Sequence, residues 1–175
     1  MIRFIDVNEK TFNTVFDKMT TAFPYEERRD CFDQKECLKN SYFNFFEIYD
    51  GDTAVGFTAL WVFEKFIYIE HIAIDEDKRG GGYGSKAIDL IKEKYNKPII
   101  LEAEAPVTEQ QIKRIKFYDR LGFKVNSYDY IQPSYHDGEG VPLMILSFPD
   151  FINETEYEEF LTETRREVYK VTPLN

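Results

Sequence analysis

Apolar residues recur along this chain with two spacings, which alternate from one end to the other. Residues 8 to 23 hold their apolar side chains three and four positions apart, as an amphipathic helix does, and Pro24 ends that run. Residues 53 to 63 and 67 to 74 are instead nearly continuous runs of apolar, β-branched and aromatic residues, which is typical of buried strands. The chain therefore mixes helices with a sheet.

These patterns predict elements in the order β-α-α-β-β-β-α-β-α-β-β. The predicted strands are residues 2 to 7, 42 to 48, 53 to 63, 67 to 74, 98 to 103, 123 to 131 and 141 to 148. The predicted helices are residues 8 to 23, 26 to 39, 85 to 95 and one that holds residues 113 to 120. Asp50-Gly51-Asp52 suits a tight hairpin. The fold class is α/β (α+β), a mixed, mostly antiparallel central sheet flanked by helices.

A further helix is predicted at residues 153 to 170, after the sheet. Asn153 can cap its start together with Glu156, and basic residues end it. Its apolar stripe is Tyr157, Phe160, Leu161 and Val168. We expect this stripe to pack on its own domain, with a dimer contact as the alternative, so the chain is a monomer or a homodimer. Residues 1–150 form the predicted main domain and 151–175 a C-terminal helical extension.

Composition supports a folded chain of one main domain. The 175 residues are 43% hydrophobic, and neither a signal-like start nor a membrane-length apolar run is present, which predicts a cytoplasmic protein. The two cysteines, Cys31 and Cys37, suit neither a disulfide framework nor a zinc site, and no metal is expected. A net charge of −10 disfavours nucleic acid or an anionic membrane as a partner and permits a cationic substrate.

A glycine-rich turn carries the main chemical signal. The run RGGGYG at residues 79 to 84 follows the strand at 67 to 74 and leads into a helix. Glycines allow consecutive N–H groups to point at one anion, and the start of a helix adds the positive end of its dipole. The turn is thus predicted to bind a phosphate or pyrophosphate group.

Two other phosphate-binding patterns fit this turn less well. A Walker loop needs a Lys directly after its second Gly, and no Gly here has one. A dinucleotide fingerprint is nominally present as Gly82-x-Gly84-x-x-Ala87 with Glu102 downstream. In that fingerprint, however, the first Gly lies almost at the strand end, whereas five charged residues and two more glycines intervene here.

The pattern Arg79-x-x-Gly82-x-Gly84, between a strand and a helix, resembles motif A of the GNAT N-acetyltransferase superfamily. The run IKFYDRLGF at residues 115 to 123 resembles motif B of the same family, whose tyrosine precedes a Gly-Phe pair. The resemblance covers roughly residues 1 to 150. Residues 100 to 106 and 128 to 135 resemble a bacterial subgroup of the family.

This resemblance implies an acetyl-CoA-dependent N-acetyltransferase. In the family, backbone groups of the motif A strand hold the pantetheine arm and polarise the thioester, and the turn holds the pyrophosphate. The corresponding residues here are Ile72, Ala73 and Ile74 on the strand, and Arg79, Gly80, Gly81, Gly82, Tyr83, Gly84 and Ser85 at the turn. Tyr118 matches the tyrosine that protonates the leaving thiolate. Gln111 stands where many relatives carry an Asn that contacts the cofactor.

The base and the acceptor site are predicted from neighbouring polar residues. Strand alternation places Glu70 and His71 on opposite faces of the strand, and we interpret His71 as a structural residue. Glu70 is the predicted base. The alternative is that its carboxylate pairs with a basic neighbour. Glu102 and Glu104 share a face of the next strand, and either could bind a cationic amine or act as the base. Weaker candidates for substrate contact are Tyr130, Gln132, Tyr135 and His136.

The predicted reaction transfers an acetyl group from acetyl-CoA to a primary amine of a small molecule, by direct attack in a ternary complex. The alternative is a CoA-binding or regulatory domain that kept the fold without turnover.

Overall fold

The computed structural model describes residues 1–171, and the chain divides into two compact units, Met1–Lys97 and a second unit that begins at Pro98. Each unit contains both strands and helices. Within the described residues, no helix is long and apolar enough to cross a membrane.

The first unit contains an antiparallel sheet of four strands in the order β1-β2-β3-β4. The strands are β1 (Ile2–Asp6), β2 (Phe43–Asp50), β3 (Thr53–Val62) and β4 (Ile67–Ile74). Its helices are α1 (Phe12–Ala22), α2 (Cys31–Cys37) and α3 (Tyr83–Tyr95). The predicted hairpin is confirmed, because Asp50 pairs with Thr53 and Gly51 has a φ of +59°, in the left-handed region that favours glycine.

The predicted helix at residues 26 to 39 is broken. A short 3₁₀ turn, Tyr25–Glu27, precedes α2, and the backbone between them is extended. Asp30 caps the start of α2, because its carboxylate accepts a hydrogen bond from the Asp33 backbone N–H. The helix therefore begins several residues later than predicted. The extended segment places the Arg29 side chain in the interior.

The second unit is organised around its last strand. Its strands are β5 (Ile99–Ala103), β6 (Lys124–Val125), β7 (Tyr130–Gln132) and β8 (Val141–Phe148), and β8 pairs antiparallel with each of the other three. Its helices are α4 (Glu109–Arg120) and α5 (Glu154–Glu163), and a π-helical turn, Thr164–Val168, follows α5.

The single strand predicted at residues 123 to 131 is two short strands. Asn126 lies between them, and its buried amide donates to the Ile145 carbonyl and to Ser147 Oγ. Its oxygen accepts from the Ile152 backbone N–H. These bonds take the place of continuous strand pairing, which is why the strand stops there.

The C-terminal helix packs on its own unit. Asn153 and Glu156 form the predicted capping box, and the Tyr157 ring stacks on Tyr128 with centroids 3.9 Å apart. Phe160 and Val168 are buried. The helix is shorter than predicted, because the π-helical turn replaces its last turns.

Candidate active site

The glycine turn of the first unit leaves the start of α3 open to an anion. Gly80 and Gly82 have φ values of +84° and +72°, and Gly82 is the N-terminal cap residue of α3. A Cβ on Gly81 would lie 2.8 Å from the Tyr83 ring. In the described chain no side chain caps α3 and its first turn has no acidic residue, as is also true of α1, whereas Asp30, Thr108 and Asn153 cap α2, α4 and α5. The first N–H groups of α3 therefore suit a phosphate.

Two contacts fix the turn to the sheet. Arg79 Nε donates to the Ile74 carbonyl at 3.3 Å, at the end of β4. The Tyr83 hydroxyl donates to Asp50 Oδ2 at 3.2 Å. These predicted cofactor residues thus have structural contacts of their own, and the turn is held in place before any ligand binds.

Strand β4 carries a bulge at Glu70. His71 pairs with Ala59 and Ile69 pairs with Leu60, so Glu70 has no residue opposite it on β3. Further along, Gly56 allows β3 to approach β4 closely, since a Cβ there would lie 2.2 Å from the Ala73 carbonyl oxygen. Sequence reasoning missed this glycine. Ile72, Ala73 and Ile74 follow the bulge and are half-buried.

The Glu70 side chain is held inside the first unit by two partners. Glu70 Oε1 lies 2.8 Å from Arg29 Nη1, and Glu70 Oε2 accepts a hydrogen bond from Trp61 Nε1 at 2.7 Å. The Glu70 side chain is 0% exposed and that of Arg29 is 6% exposed. The exposed part of Glu70 is therefore its backbone. Its role as a base stays a prediction, and its contacts match the alternative, a carboxylate paired with a basic neighbour.

The expectation that Glu70 and His71 lie on opposite faces of β4 is wrong, because the bulge interrupts the alternation. Both side chains contact the segment that precedes α2: Glu70 pairs with Arg29, and His71 Nε2 lies 2.8 Å from the Glu27 carbonyl oxygen. Because a carbonyl only accepts, this His71 nitrogen carries the proton. Burial lowers the pKa of His71, so its ring stays neutral and structural.

Tyr118 lies on α4 of the second unit, with its ring packed edge-on against Phe117 and Phe123. Gly122, at a φ of +87°, ends the helix and turns the chain back, so that Phe123 reaches Tyr118. This explains the Gly-Phe pair after the tyrosine. Burial raises the pKa of Tyr118 to about 12, so the phenol is protonated at neutral pH. Its hydroxyl makes no hydrogen bond to any residue from 1 to 171.

Gln111 forms part of the N-terminal cap of α4. Its Oε1 accepts from the backbone N–H groups of Val107 and Thr108, and its own N–H donates to Thr108 Oγ1. Its Nε2 donates to Glu104 at 3.1 Å. A cofactor contact by this amide stays a prediction.

The predicted substrate residues gather around Glu102, together with one that the sequence did not indicate. Tyr130 and Gln132 both donate to the Glu102 carboxylate, and so does the Tyr169 hydroxyl, at 3.2 and 3.1 Å from its two oxygens. The Tyr135 ring lies 5.3 Å from that of Tyr169. Tyr169 is off the predicted apolar stripe, and only the π-helical turn before it brings it to Glu102.

Glu104 and His136 are the remaining predicted substrate residues. Glu104 Oε2 is 3.5 Å from Arg114 Nη1, and its side chain is 42% exposed. The backbone N–H of His136 donates to Ser134 Oγ in the loop before β8. Among the described residues, no group of His, Cys, Asp or Glu is placed to hold a metal ion.

The glycine turn before α3 suits a phosphate, and comparison with known families shows to which family the chain belongs. The profile of the Acetyltransferase (GNAT) family matches residues 12–123. This chain belongs to the GNAT acetyltransferase family.

Individual relatives extend the match to most of the chain. YjbC of Bacillus subtilis (strain 168), which is named as an acetyltransferase, is 32% identical over an alignment of 160 residues, and the match covers 89% of this chain and 79% of the relative. A solved GNAT-family structure from Bacteroides thetaiotaomicron is 31% identical, with a TM-score of 0.90, and covers 97% of this chain and 99% of its own. An acetyltransferase of Bacillus subtilis solved in complex with CoA shares the fold at 16% identity, with a TM-score of 0.55 over 86% of this chain and 98% of its own. The predicted fold class is confirmed.

Proposed function

We propose that this chain transfers an acetyl group from acetyl-CoA to a primary amine of a small molecule, by direct attack in a ternary complex. The observation that carries the proposal is the glycine turn with the uncapped start of α3, in a family whose members are acetyltransferases. An anionic cofactor fits this turn, because the first α3 N–H groups would bind its pyrophosphate, and Gly82 has nothing within 4 Å of a Cβ position, which leaves room for it. CoA in a solved structure of the same fold supports the choice of cofactor.

Acetyl-CoA supplies the thioester whose acetyl group is transferred. The backbone of Ile72, Ala73 and Ile74 would orient this thioester and polarise its carbonyl group. The amine nitrogen forms the new C–N bond while the C–S bond breaks, and Tyr118 donates its proton to the leaving sulfur. The Tyr118 phenol carries its proton at neutral pH, although its raised pKa makes it a weaker acid than an exposed tyrosine.

The proton that the attacking amine loses needs an acceptor. Glu70 is the base predicted from the sequence, but its carboxylate is buried and is already bound by Arg29 and Trp61. Glu104 is more exposed, and its contact with Arg114 is long at 3.5 Å. We therefore propose Glu104, or water next to it, as the acceptor that the contacts favour, with Glu70 as the rival.

A CoA-binding domain without turnover is the second candidate function. It would bind CoA equally well through the turn, but it would not need a tyrosine at the motif B position. The presence of Tyr118 there therefore favours the enzyme.

The test is an assay of CoA release from acetyl-CoA with a panel of primary amines: polyamines, amino acids, aminoglycosides and amino-terminal peptides. Mass spectrometry of the product confirms acetylation. We expect at least one amine to raise CoA release above the rate of hydrolysis. Tight binding of CoA with no acetylated product from any class of amine would favour the non-catalytic domain.

A further inference from the structure

The bulge at Glu70 determines which backbone groups of β4 face β3 further along the strand. Before the bulge, Trp61 of β3 pairs with Tyr68, and after it residues 56 to 58 of β3 pair with residues 72 to 74. In an antiparallel pair, residues whose N–H and C=O groups face the neighbouring strand alternate with residues whose groups face away from it. Without the bulge, the pairing would shift by one residue and exchange these two sets along residues 72 to 74.

Trp61 fixes the bulged residue to the sheet. Trp61 and Tyr68 stand opposite each other, so their side chains share a face, and Glu70, two residues after Tyr68, lies on that face too. Regular pairing would place Ala59 opposite Glu70, but Ala59 pairs with His71 instead. The Glu70 side chain reaches diagonally back to Trp61, whose Nε1 donates a hydrogen bond to Glu70 Oε2 at 2.7 Å.

This hydrogen bond differs in kind from the ion pair with Arg29. Arg29 belongs to the extended segment before α2, whereas Trp61 belongs to β3, the strand with which β4 pairs. The Trp61 side chain is 1% exposed, and its ring packs against Phe43 and Phe63 with centroids 4.9 and 6.4 Å apart. A donor that is locked by packing on the adjacent strand holds the Glu70 side chain, and with it the bulge, at one position in the register.

In the proposed function, the backbone of residues 72 to 74 orients the thioester. We propose that Trp61 is a positioning residue for this step: its hydrogen bond to Glu70 keeps the bulge in place, and the bulge keeps the backbone groups of residues 72 to 74 directed at the thioester carbonyl. This inference rests on the proposed function and adds a residue that acts through Glu70. Since a donor polarises a carbonyl group only at hydrogen-bonding distance and angle, loss of the Trp61 bond weakens that polarisation and leaves pyrophosphate binding at the glycine turn intact.

The experiment is infrared difference spectroscopy of acetyl-CoA, isotope-labelled at its thioester carbonyl, bound to the protein without an amine. We expect the wild type to lower the carbonyl stretching frequency relative to acetyl-CoA in solution. Trp61→Phe keeps an aromatic ring but lacks the donor, so most of this shift should disappear, and kcat with an amine substrate should fall about tenfold or more. Calorimetry should show an unchanged affinity for CoA, which has no acetyl group. Phe63→Leu is the matched control, because it removes a ring that packs on Trp61 and leaves the donor, so the frequency shift should remain.

A second pair of variants tests the hydrogen bond from its acceptor side. Arg29→Met with Glu70→Gln keeps an acceptor for Trp61 Nε1, whereas Arg29→Met with Glu70→Leu does not, and both lack the two buried charges. We expect the first double variant to keep the carbonyl shift and the second to lose it. Circular dichroism checks that each variant is folded, and this pair decides if Trp61→Phe fails to fold.

Three results would overturn the inference. The first is a folded Trp61→Phe variant with the carbonyl frequency of the wild type, and the second is an equal frequency in the two double variants. The third is a wild type that binds acetyl-CoA without any shift, because its backbone then does not polarise the thioester. Failure of the wild type to bind CoA at all would contradict the proposed function itself, so the two failures are distinguishable.

Discussion

The ion pair between Arg29 and Glu70 is expected to be a main determinant of the stability of the first unit. Both side chains are almost wholly buried, so removing one partner leaves the other charge in the interior. Such a loss costs about 3–5 kcal/mol, whereas replacing both charges by neutral groups is often close to neutral. Arg29→Met should therefore lower the midpoint of thermal unfolding by about 6–20 °C, given about 2–4 °C per kcal/mol in a chain of this size.

The double variant separates the pair from its surroundings. Gln at position 70 keeps an acceptor for Trp61 Nε1, so Arg29→Met with Glu70→Gln removes both charges and retains that hydrogen bond. We expect it to be more stable than either single variant, with a coupling free energy of about 3 kcal/mol or more. Urea unfolding measures it, and Trp61, the single tryptophan, reports on the site by fluorescence.

The exposed pair of Lys113 and Glu109 is the matched control. It has a shorter contact, 2.6 Å, but its side chains are 73% and 83% exposed, so its double-mutant cycle should show almost no coupling. A coupling between positions 29 and 70 as small as that of the control would refute the reasoning.

The same double variant tests the role of Glu70 in catalysis, because it lacks the carboxylate in a stable fold. If Glu70 is structural, the double variant keeps most of its turnover at neutral pH. A large loss that is recovered at alkaline pH, where the amine is already neutral, would instead identify Glu70 as the base.

Three further outcomes are expected. Gly82→Val should weaken acetyl-CoA binding by about 2 kcal/mol or more, whereas Gly51→Val, which is equally strained at a φ of +59°, should leave it unchanged; calorimetry compares them. The pKa of Tyr118 is raised to about 12, so the folded state keeps the phenol proton between about pH 10 and 12 while the unfolded state loses it. The free energy of unfolding of the wild type should therefore fall by about 1.4 kcal/mol per pH unit in this range. Tyr118→Phe should lose less stability than the wild type when urea unfolding at pH 9 and 11 is compared. Glu104→Gln should lower kcat at neutral pH and recover at alkaline pH; a pH-independent rise in KM alone would instead mean that Glu104 only binds the substrate.

The elements with strong local patterns were predictable. The glycine turn, the strand at 67 to 74 and the capping box at Asn153 follow from residue types at fixed spacings, and the structure contains each of them. Their determinants are local, so a single sequence is enough to find them.

The polar partners of the site were not predictable, because they depend on tertiary pairing. The bulge at Glu70 shows no signal in a run of apolar residues, and it alone removes the expected alternation. Arg29 lies 41 positions from Glu70 and was assigned to the helix predicted at residues 26 to 39. Tyr169 reaches Glu102 only through a π-helical turn, which has no sequence signature that distinguishes it from an α-helix.

The most direct test of the central claim is the kinetics of Tyr118→Phe with acetyl-CoA and an amine that the panel identifies. The variant keeps the ring that packs on Phe117 and Phe123 but lacks the proton donor. We predict that kcat falls by about 100-fold or more while calorimetry shows an unchanged affinity for acetyl-CoA. Turnover close to that of the wild type, with chemistry shown to limit the rate, would contradict the assignment of Tyr118 as the acid.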